Sequence, residues 1–219
     1  MKIEELISSV DLVVESASQN AVRFIVPQAL KAGCSVMVLS VGALADKELR
    51  ETLFGLAKEH NCKLYFPPSG AVVGIDGINS AHAAGISSVT LTTRKPPSGL
   101  MGAPYVVEHG IELEKLEKET ILFEGTASEA VKAFPPANVN VAATISLAGI
   151  GFERTMVRVI ADPSLSRNVH EINVEGEFGK FCTKVENLPS PENPKTSYLA
   201  ALSAISTLKK ILNPVQIGT

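Results

Sequence analysis

The stretch Asp11-Leu12-Val13-Val14-Glu15, answered by Ser35-Val36-Met37-Val38-Leu39 beyond a helix-spaced run at residues 19–31, decides the fold. Both segments are short and almost continuously apolar, and a helix joins them. That is the mark of a βαβ unit: parallel strands need a crossover and are covered on both faces, so they lose the polar alternation of a half-exposed strand. A second helical run at residues 46–59 leads to Lys63-Leu64-Tyr65-Phe66 and extends the pattern. Residues 1–71 therefore read as a piece of a doubly wound parallel sheet. Each strand runs into small or turn-forming residues: Ser16-Ala17-Ser18-Gln19, Ser40-Val41-Gly42-Ala43 and Pro67-Pro68-Ser69-Gly70-Ala71. Taken singly each is a turn. Together they mark the carboxyl ends of strands, where open α/β sheets bind ligands.

The character changes near residue 72. A Gly- and Ala-rich helical segment at residues 74–84 leads into Val89-Thr90-Leu91-Thr92-Thr93, and strands then dominate without long helices between them. Residues 121–124, 155–160, 169–174 and 180–185 read as a mainly antiparallel sheet, with Glu175-Gly176-Glu177-Phe178-Gly179 close to a hairpin connection. Residues 96–118 carry Gly and Pro and then charge, which predicts a surface excursion, and residues 128–134 predict a short helix. A second, α+β domain is expected over 72–192. In Asn193-Pro194-Lys195-Thr196-Ser197 a cap-type residue and a proline precede the apolar stripe of Tyr198-Leu199-Ala200-Ala201-Leu202. A closing helix over 193–219 is predicted to begin there.

With 219 residues, 45% of them hydrophobic, the chain can bury a sizeable core. A net charge of -3 without blocks of like charge gives no sign of a nucleic-acid or anionic-membrane partner. No segment approaches the ~20 apolar residues that span a bilayer, and the amino terminus lacks the apolar run of a secretory signal. Cys34, Cys62 and Cys182 are far apart in sequence, which argues for packing residues in a reducing, cytoplasmic compartment and against a structural metal. An antiparallel sheet with few external helices often needs a partner face, so a homodimer or larger assembly is expected.

Four histidines are available for chemistry. His60 ends a predicted helix and His109 lies in the excursion, so both read as structural or solvated, while His82 sits in the Ala-rich helix. His170 differs, because strand alternation places it with Ile172 and Val174 and puts Glu171, Asn173 and Glu175 on the other face. It should point inward, as a satisfied core residue or a catalyst. Arg94 and Lys95 read as solvated surface. Lys195, at a predicted helix amino terminus beside Thr196 and Ser197, has donors around it that suit a carboxylate.

The ordered blocks Val14-Glu15-Ser16-Ala17-Ser18-Gln19, Leu39-Ser40-Val41-Gly42-Ala43, Leu91-Thr92-Thr93-Arg94-Lys95, Phe123-Glu124-Gly125-Thr126-Ala127-Ser128-Glu129-Ala130, Asn138-Val139-Asn140-Val141-Ala142-Ala143-Thr144, Asn168-Val169-His170-Glu171-Ile172, Gly176-Glu177-Phe178-Gly179 and Asn193-Pro194-Lys195-Thr196-Ser197-Tyr198 span nearly the whole sequence. In them the chain resembles the L-aspartate dehydrogenase family. The resemblance implies an incomplete Rossmann-type dinucleotide-binding domain over 1–71 and a substrate, catalytic and oligomerisation domain over 72–192. It implies NAD or NADP as cofactor and L-aspartate as substrate, with oxidation to iminoaspartate that hydrolyses to oxaloacetate and ammonia or feeds NAD biosynthesis. By position His170 matches the family's catalytic histidine, poised near neutral pH. Ala81 and Asn140 match cofactor contacts, and Lys195 and Thr196 match the region that holds substrate carboxylate. No metal is implied. Family members begin with a strand and a GxGxxG turn that seats the pyrophosphate. The sequence opens at a helix preceding a later strand, so a unit of at least ~30 residues is expected to be missing. Two other readings stay open: a dehydrogenase for another small amino acid, and a non-catalytic module that binds a dicarboxylate or mediates oligomerisation.

Overall fold

Val36, Met37 and Val38 have no exposed surface, as a central parallel strand covered on both faces requires. They belong to the first of two compact units, Met1–Pro67 and Pro68–Thr219. The computed structural model describes residues 3–68, 72–134, 139–188, 190–191, 197–215 and 217. In the first unit α1 (Ile3–Ile7), β1 (Leu12–Glu15), α2 (Gln19–Lys31), β2 (Ser35–Val38), α3 (Lys47–Glu59) and β3 (Leu64–Tyr65) follow in order. The sheet runs β1-β2-β3 with both pairs parallel, Leu12 opposite Ser35 and Val36 opposite Leu64.

Both long helices start where their sequences supply a cap. The Ser18 side chain accepts from Ala21 N at the head of α2, and Asp46 accepts from Leu49 N at the head of α3. Each fills one of the orphan donors of a helix amino terminus, worth about 1 kcal/mol. Asp46 also accepts from Arg23 Nη1 at 2.8 Å, which ties α2 to α3. That guanidinium holds the Asp46 carboxyl below the usual carboxylate range.

The second unit contains α4 (Ile75–His82), β4 (Ile86–Lys95), α5 (Pro104–Glu108), β5 (Thr120–Thr126), α6 (Ala127–Ala133), α7 (Val139–Ala148), β6 (Thr155–Ala161), β7 (Asn168–Gly176), β8 (Gly179–Asn187) and α8 (Tyr198–Leu212). Its sheet runs β5-β6-β4-β7-β8. The β4–β6 pair is parallel and the other three pairs are antiparallel. Val89, Leu91, Val157, Val159, Ile172 and Val174 are buried and lie at alternate positions, so they make one inward face. At the β7–β8 hairpin Gly179 has a φ of +110°. A Cβ on Gly176 would run into the Gly85 carbonyl oxygen, so only glycine fits there.

Three expectations need correction. The strands of the second domain are not free of intervening helices: α7 packs ten residues ahead of β6, with Ala142, Ala143 and Ile145 almost fully buried. A helix buried around most of its circumference leaves no clear polar stripe for periodicity to detect. The closing helix starts later than Asn193-Pro194 suggests. Ser197 is its N-cap residue, in an extended conformation, and donates its hydroxyl to Asn187 Oδ1 at 2.8 Å instead of capping. Finally, residues 96–118 are not only surface, because Leu100, Ala103, Val106 and Leu113 are buried.

Candidate functional site

Strand β4 decides the site. The alternation that buries Val89 and Leu91 carries on to Thr93 and Lys95, which are 0% and 7% exposed. Thr93 stands opposite His170 in the antiparallel β4–β7 register, and Asn168 stands opposite Asn187 across β7–β8. The inward face of three neighbouring strands is thus apolar along most of its length and polar at one end.

His170 is 3% exposed and its Nδ1 lies 3.0 Å from Thr93 Oγ1. Burial, reinforced by the positive charge of Lys95, pushes its pKa from 6.5 down to about 3. Burial alone lowers Lys95 from 10.5 to about 8. The expectation of a histidine poised near neutral pH is therefore corrected. The imidazole is neutral throughout the physiological range, because a low-dielectric site beside an ammonium disfavours a second cation. Arg94 takes the opposite face of β4, within 3.6 Å of Glu119 and 3.7 Å of Glu171. Reading Lys95 as solvated surface is likewise corrected.

The depressed histidine makes stability depend on pH. An unfolded histidine titrates near about 6.5, whereas folded His170 does so at about 3. Between those values the unfolded chain binds the extra proton. Stability is therefore full above about pH 6.5 and falls as pH drops toward 3. Thermal unfolding followed across that window is expected to show a steeper acid loss in the wild type than in His170→Gln. Identical slopes would show that the ring is not buried in its neutral form.

In the first unit the ends of β1 and β2 are held by one carboxylate. Glu15 is buried, and its Oε1 accepts from Ala17 N at 2.8 Å, Ser18 N at 3.0 Å and Ser40 Oγ at 3.1 Å. Its Oε2 accepts from Ser40 N at 3.1 Å. Ser16, Ala17 and Ser18 remain exposed beside the amino terminus of α2. A fixed stretch of small exposed residues at the carboxyl ends of parallel strands fits a dinucleotide, whose flat rings and phosphates need close approach to backbone.

Of the other predicted site residues, Ala81 is buried on α4. Asn140 is exposed in the first turn of α7, where its carbonyl accepts from Thr144 Oγ1 at 2.8 Å. Lys195 and Thr196 lie outside the described residues. His82 and His109 are exposed, and His109 stacks on Tyr105 with ring centroids 3.9 Å apart. Cys34 is buried and Cys62 partly so, but Cys182 is exposed and is not a packing residue. Among the described residues no cluster of His, Cys, Asp and Glu could hold a metal ion, and no helix is long and apolar enough to cross a membrane.

Residues 76–211 match the family described as "Aspartate dehydrogenase, C-terminal", and residues 1–67 match "Homoserine dehydrogenase, NAD binding domain". The chain belongs to the aspartate dehydrogenase family. It is 98% identical over its full length to the L-aspartate dehydrogenase of Methanosarcina mazei and 89% identical to that of Methanosarcina acetivorans, covering 80% of each. It resembles the crystal structure of aspartate dehydrogenase from Thermotoga maritima with a TM-score of 0.80 and 33% identity, over 96% of this chain and 80% of that one. Within this aspartate dehydrogenase-family chain, Thr93, Lys95 and His170 all fall in the stretch matched to the C-terminal family.

Two features of the site escaped sequence reasoning. The buried state of Lys95 is implied by extending the alternation of Val89, Leu91 and Thr93 by one step, but Arg94 beside it makes the pair look like solvated charge. The clamp by Glu15 joins residues 25 apart, and no local pattern announces it.

Proposed function

We infer that the chain catalyses the NAD- or NADP-dependent oxidation of L-aspartate to iminoaspartate, which water hydrolyses to oxaloacetate and ammonia. The observation that carries the chemical reading is the neutral, buried imidazole of His170 beside Thr93. In this reading residues 1–71 bind the cofactor, 72–192 bind substrate and carry the catalyst, and 193–219 close the fold. Ala81 and Asn140 are the proposed cofactor contacts. When bound, NAD or NADP supplies the acceptor for the hydride that leaves Cα.

The chain's own residues manage protons and charge. In the tautomer this role needs, Nδ1–H of His170 donates to Thr93 Oγ1 and the Nε2 lone pair is left for the substrate. As the Cα–H bond breaks and C=N forms, Nε2 takes a proton from the substrate nitrogen. Two carboxylates entering beside the ring raise its proton affinity from the low value of the free site, so the base strengthens when its substrate arrives. Lys195 and Thr196 are the proposed seat of a substrate carboxylate.

We extend the reading to a cytoplasmic homodimer or larger assembly that feeds NAD biosynthesis. Three free cysteines support a reducing compartment, and a largely antiparallel sheet supports a partner face. The test is reduction of NAD and of NADP by the purified chain with aspartate, alanine, glutamate and homoserine in parallel. Aspartate should be preferred. Reduction with none of the four would overturn the reading, and preference for another would reassign the substrate.

A further inference from the structure

Cys34 and Cys62 each stand just ahead of a strand, and the two strands are neighbours. The β2–β3 ladder pairs Val36 with Leu64. Carried back two steps, the same register sets Cys34 beside Cys62. The chains stay together over those steps, because Val36 N–H donates to Lys63 O at 2.9 Å and Lys63 N–H donates to Ser35 Oγ at 3.1 Å. Neighbouring strands run about 4.8 Å apart, inside the roughly 4.4–6.8 Å between Cα atoms that a disulfide spans. Both thiols also turn toward helix ends. Cys34 Sγ donates to Ile7 O at 3.2 Å, at the end of α1, and to Val10 O at 3.0 Å. Cys62 Sγ donates to Leu30 O at 3.6 Å, in the last turn of α2, and to His60 O at 3.4 Å.

The two thiols differ in access. Cys34 is buried, whereas Cys62 is only partly so. Burial first, then the nearby Cys62 and Asp11, push the Cys34 thiol above its ordinary pKa. Cys34 therefore stays protonated and covered, and a soluble oxidant meets Cys62 first. The Cys34 proton also has a structural task, since its bonds to Ile7 O and Val10 O tie the end of α1 to the start of β2. A disulfide sulfur carries no hydrogen, so oxidation removes that tie.

We propose that Cys34 and Cys62 are a redox-sensitive pair, whose oxidation to a disulfide locks β2 to β3 and unties α1 from the sheet. The oxidant is a hydroperoxide. The Cys62 thiolate attacks its O–O bond, the sulfur becomes a sulfenic acid, and the peroxide leaves as its alcohol. The Cys34 sulfur then attacks the sulfenic sulfur. The S–S bond forms, the S–O bond breaks, and the hydroxyl departs as water with the Cys34 proton. Two thiols lose two electrons and two protons, and the peroxide takes both. Thiols in excess reverse the bridge, as befits a transient disulfide in a reducing compartment. The bridge closes the segment that carries α3, at the amino ends of β2 and β3. The Ser16–Ser18 and Ser40 loops stand at the opposite, carboxyl ends of β1 and β2.

The test treats Cys182→Ser, which lacks the exposed third thiol, with hydrogen peroxide. Both remaining thiols should be lost together, peptide mapping should join Cys34 to Cys62, and dithiothreitol should restore both. Closing the loop should raise the unfolding midpoint of the first unit by about 5 °C or more. Hydrogen exchange should quicken at the α1 amides at the same time. Reduced Cys34→Ala, which has no thiol to donate, should show the same quickening without any oxidant. In Cys62→Ser, made in the same background, Cys34 should outlast the treatment as a thiol. Oxidation of Cys62 to the sulfinic acid beside an intact Cys34 thiol would overturn the pairing. A bridge that leaves α1 exchange unchanged would overturn the release of that helix.

Discussion

His170→Ala is expected to lower kcat for aspartate oxidation by about a hundred- to ten-thousandfold, the usual contribution of a positioned general base. Loss of the ring removes the imidazole held against Thr93 and, in the proposed mechanism, leaves the substrate nitrogen to give its proton to water. Cofactor binding, measured by titration, should stay close to wild type. His170→Gln separates geometry from basicity, because the amide can keep a hydrogen bond to Thr93 Oγ1 yet cannot take a proton. It should be as inactive as the alanine variant. Added imidazole should restore part of the activity to His170→Ala, whose cavity can admit it, and none to His170→Gln. Activity of either variant within a few-fold of wild type would show that the proton goes elsewhere.

Glu15→Ala is expected to destabilise the first unit by about 3 kcal/mol or more. The carboxylate is the shared acceptor of three backbone N–H groups and one hydroxyl. A donor left unpaired in a buried place costs about 1–3 kcal/mol. Ala17 and Ser18 can turn partly to water, so the sum falls short of the maximum. Glu15→Gln should cost less, since one oxygen still serves Ala17 and Ser18 while the new NH2 opposes Ser40 N. Calorimetric unfolding of the three proteins should rank wild type above Gln above Ala. Equal midpoints would mean that solvent satisfies both loops and that the clamp holds nothing. The same variant should bind NAD less tightly, because the loops at the ends of β1 and β2 lose their common anchor.

The parallel sheet was legible because Val13-Val14 and Val36-Met37-Val38 are apolar runs with a capped helix between them, signals that act within a few residues. The inward direction of His170 was legible for the same reason, through alternation with Ile172 and Val174. What escaped depends on tertiary context. α7 is mostly apolar and its few polar residues, Asn140, Thr144 and Ser146, make no continuous stripe, so its helical period has little to contrast with. The start of α8 at Tyr198 escaped because its N-cap residue, Ser197, spends its hydroxyl on Asn187 and leaves no capping signal. The protonation of His170 was misjudged because it depends on burial and on Lys95, which arrives on β4, far away in sequence. The role of Glu15 needed the Ser40 turn to be folded against it.

Because Thr93 and Lys95 sit two apart on one strand, their placement is a property of reading frame in space. Sliding β4 by a single residue against β6 and β7 would send both to the far side of the sheet and bring Thr92 and Arg94 inward, erasing the histidine's hydrogen-bond partner and the buried lysine at a stroke. The strand is locked between a parallel neighbour and an antiparallel one. Its one irregularity, between Ile86 and Ser88, lies at the opposite end, where slack can be taken up without disturbing the chemistry. Insertions should thus be tolerated around residue 87 and ruinous between 89 and 95.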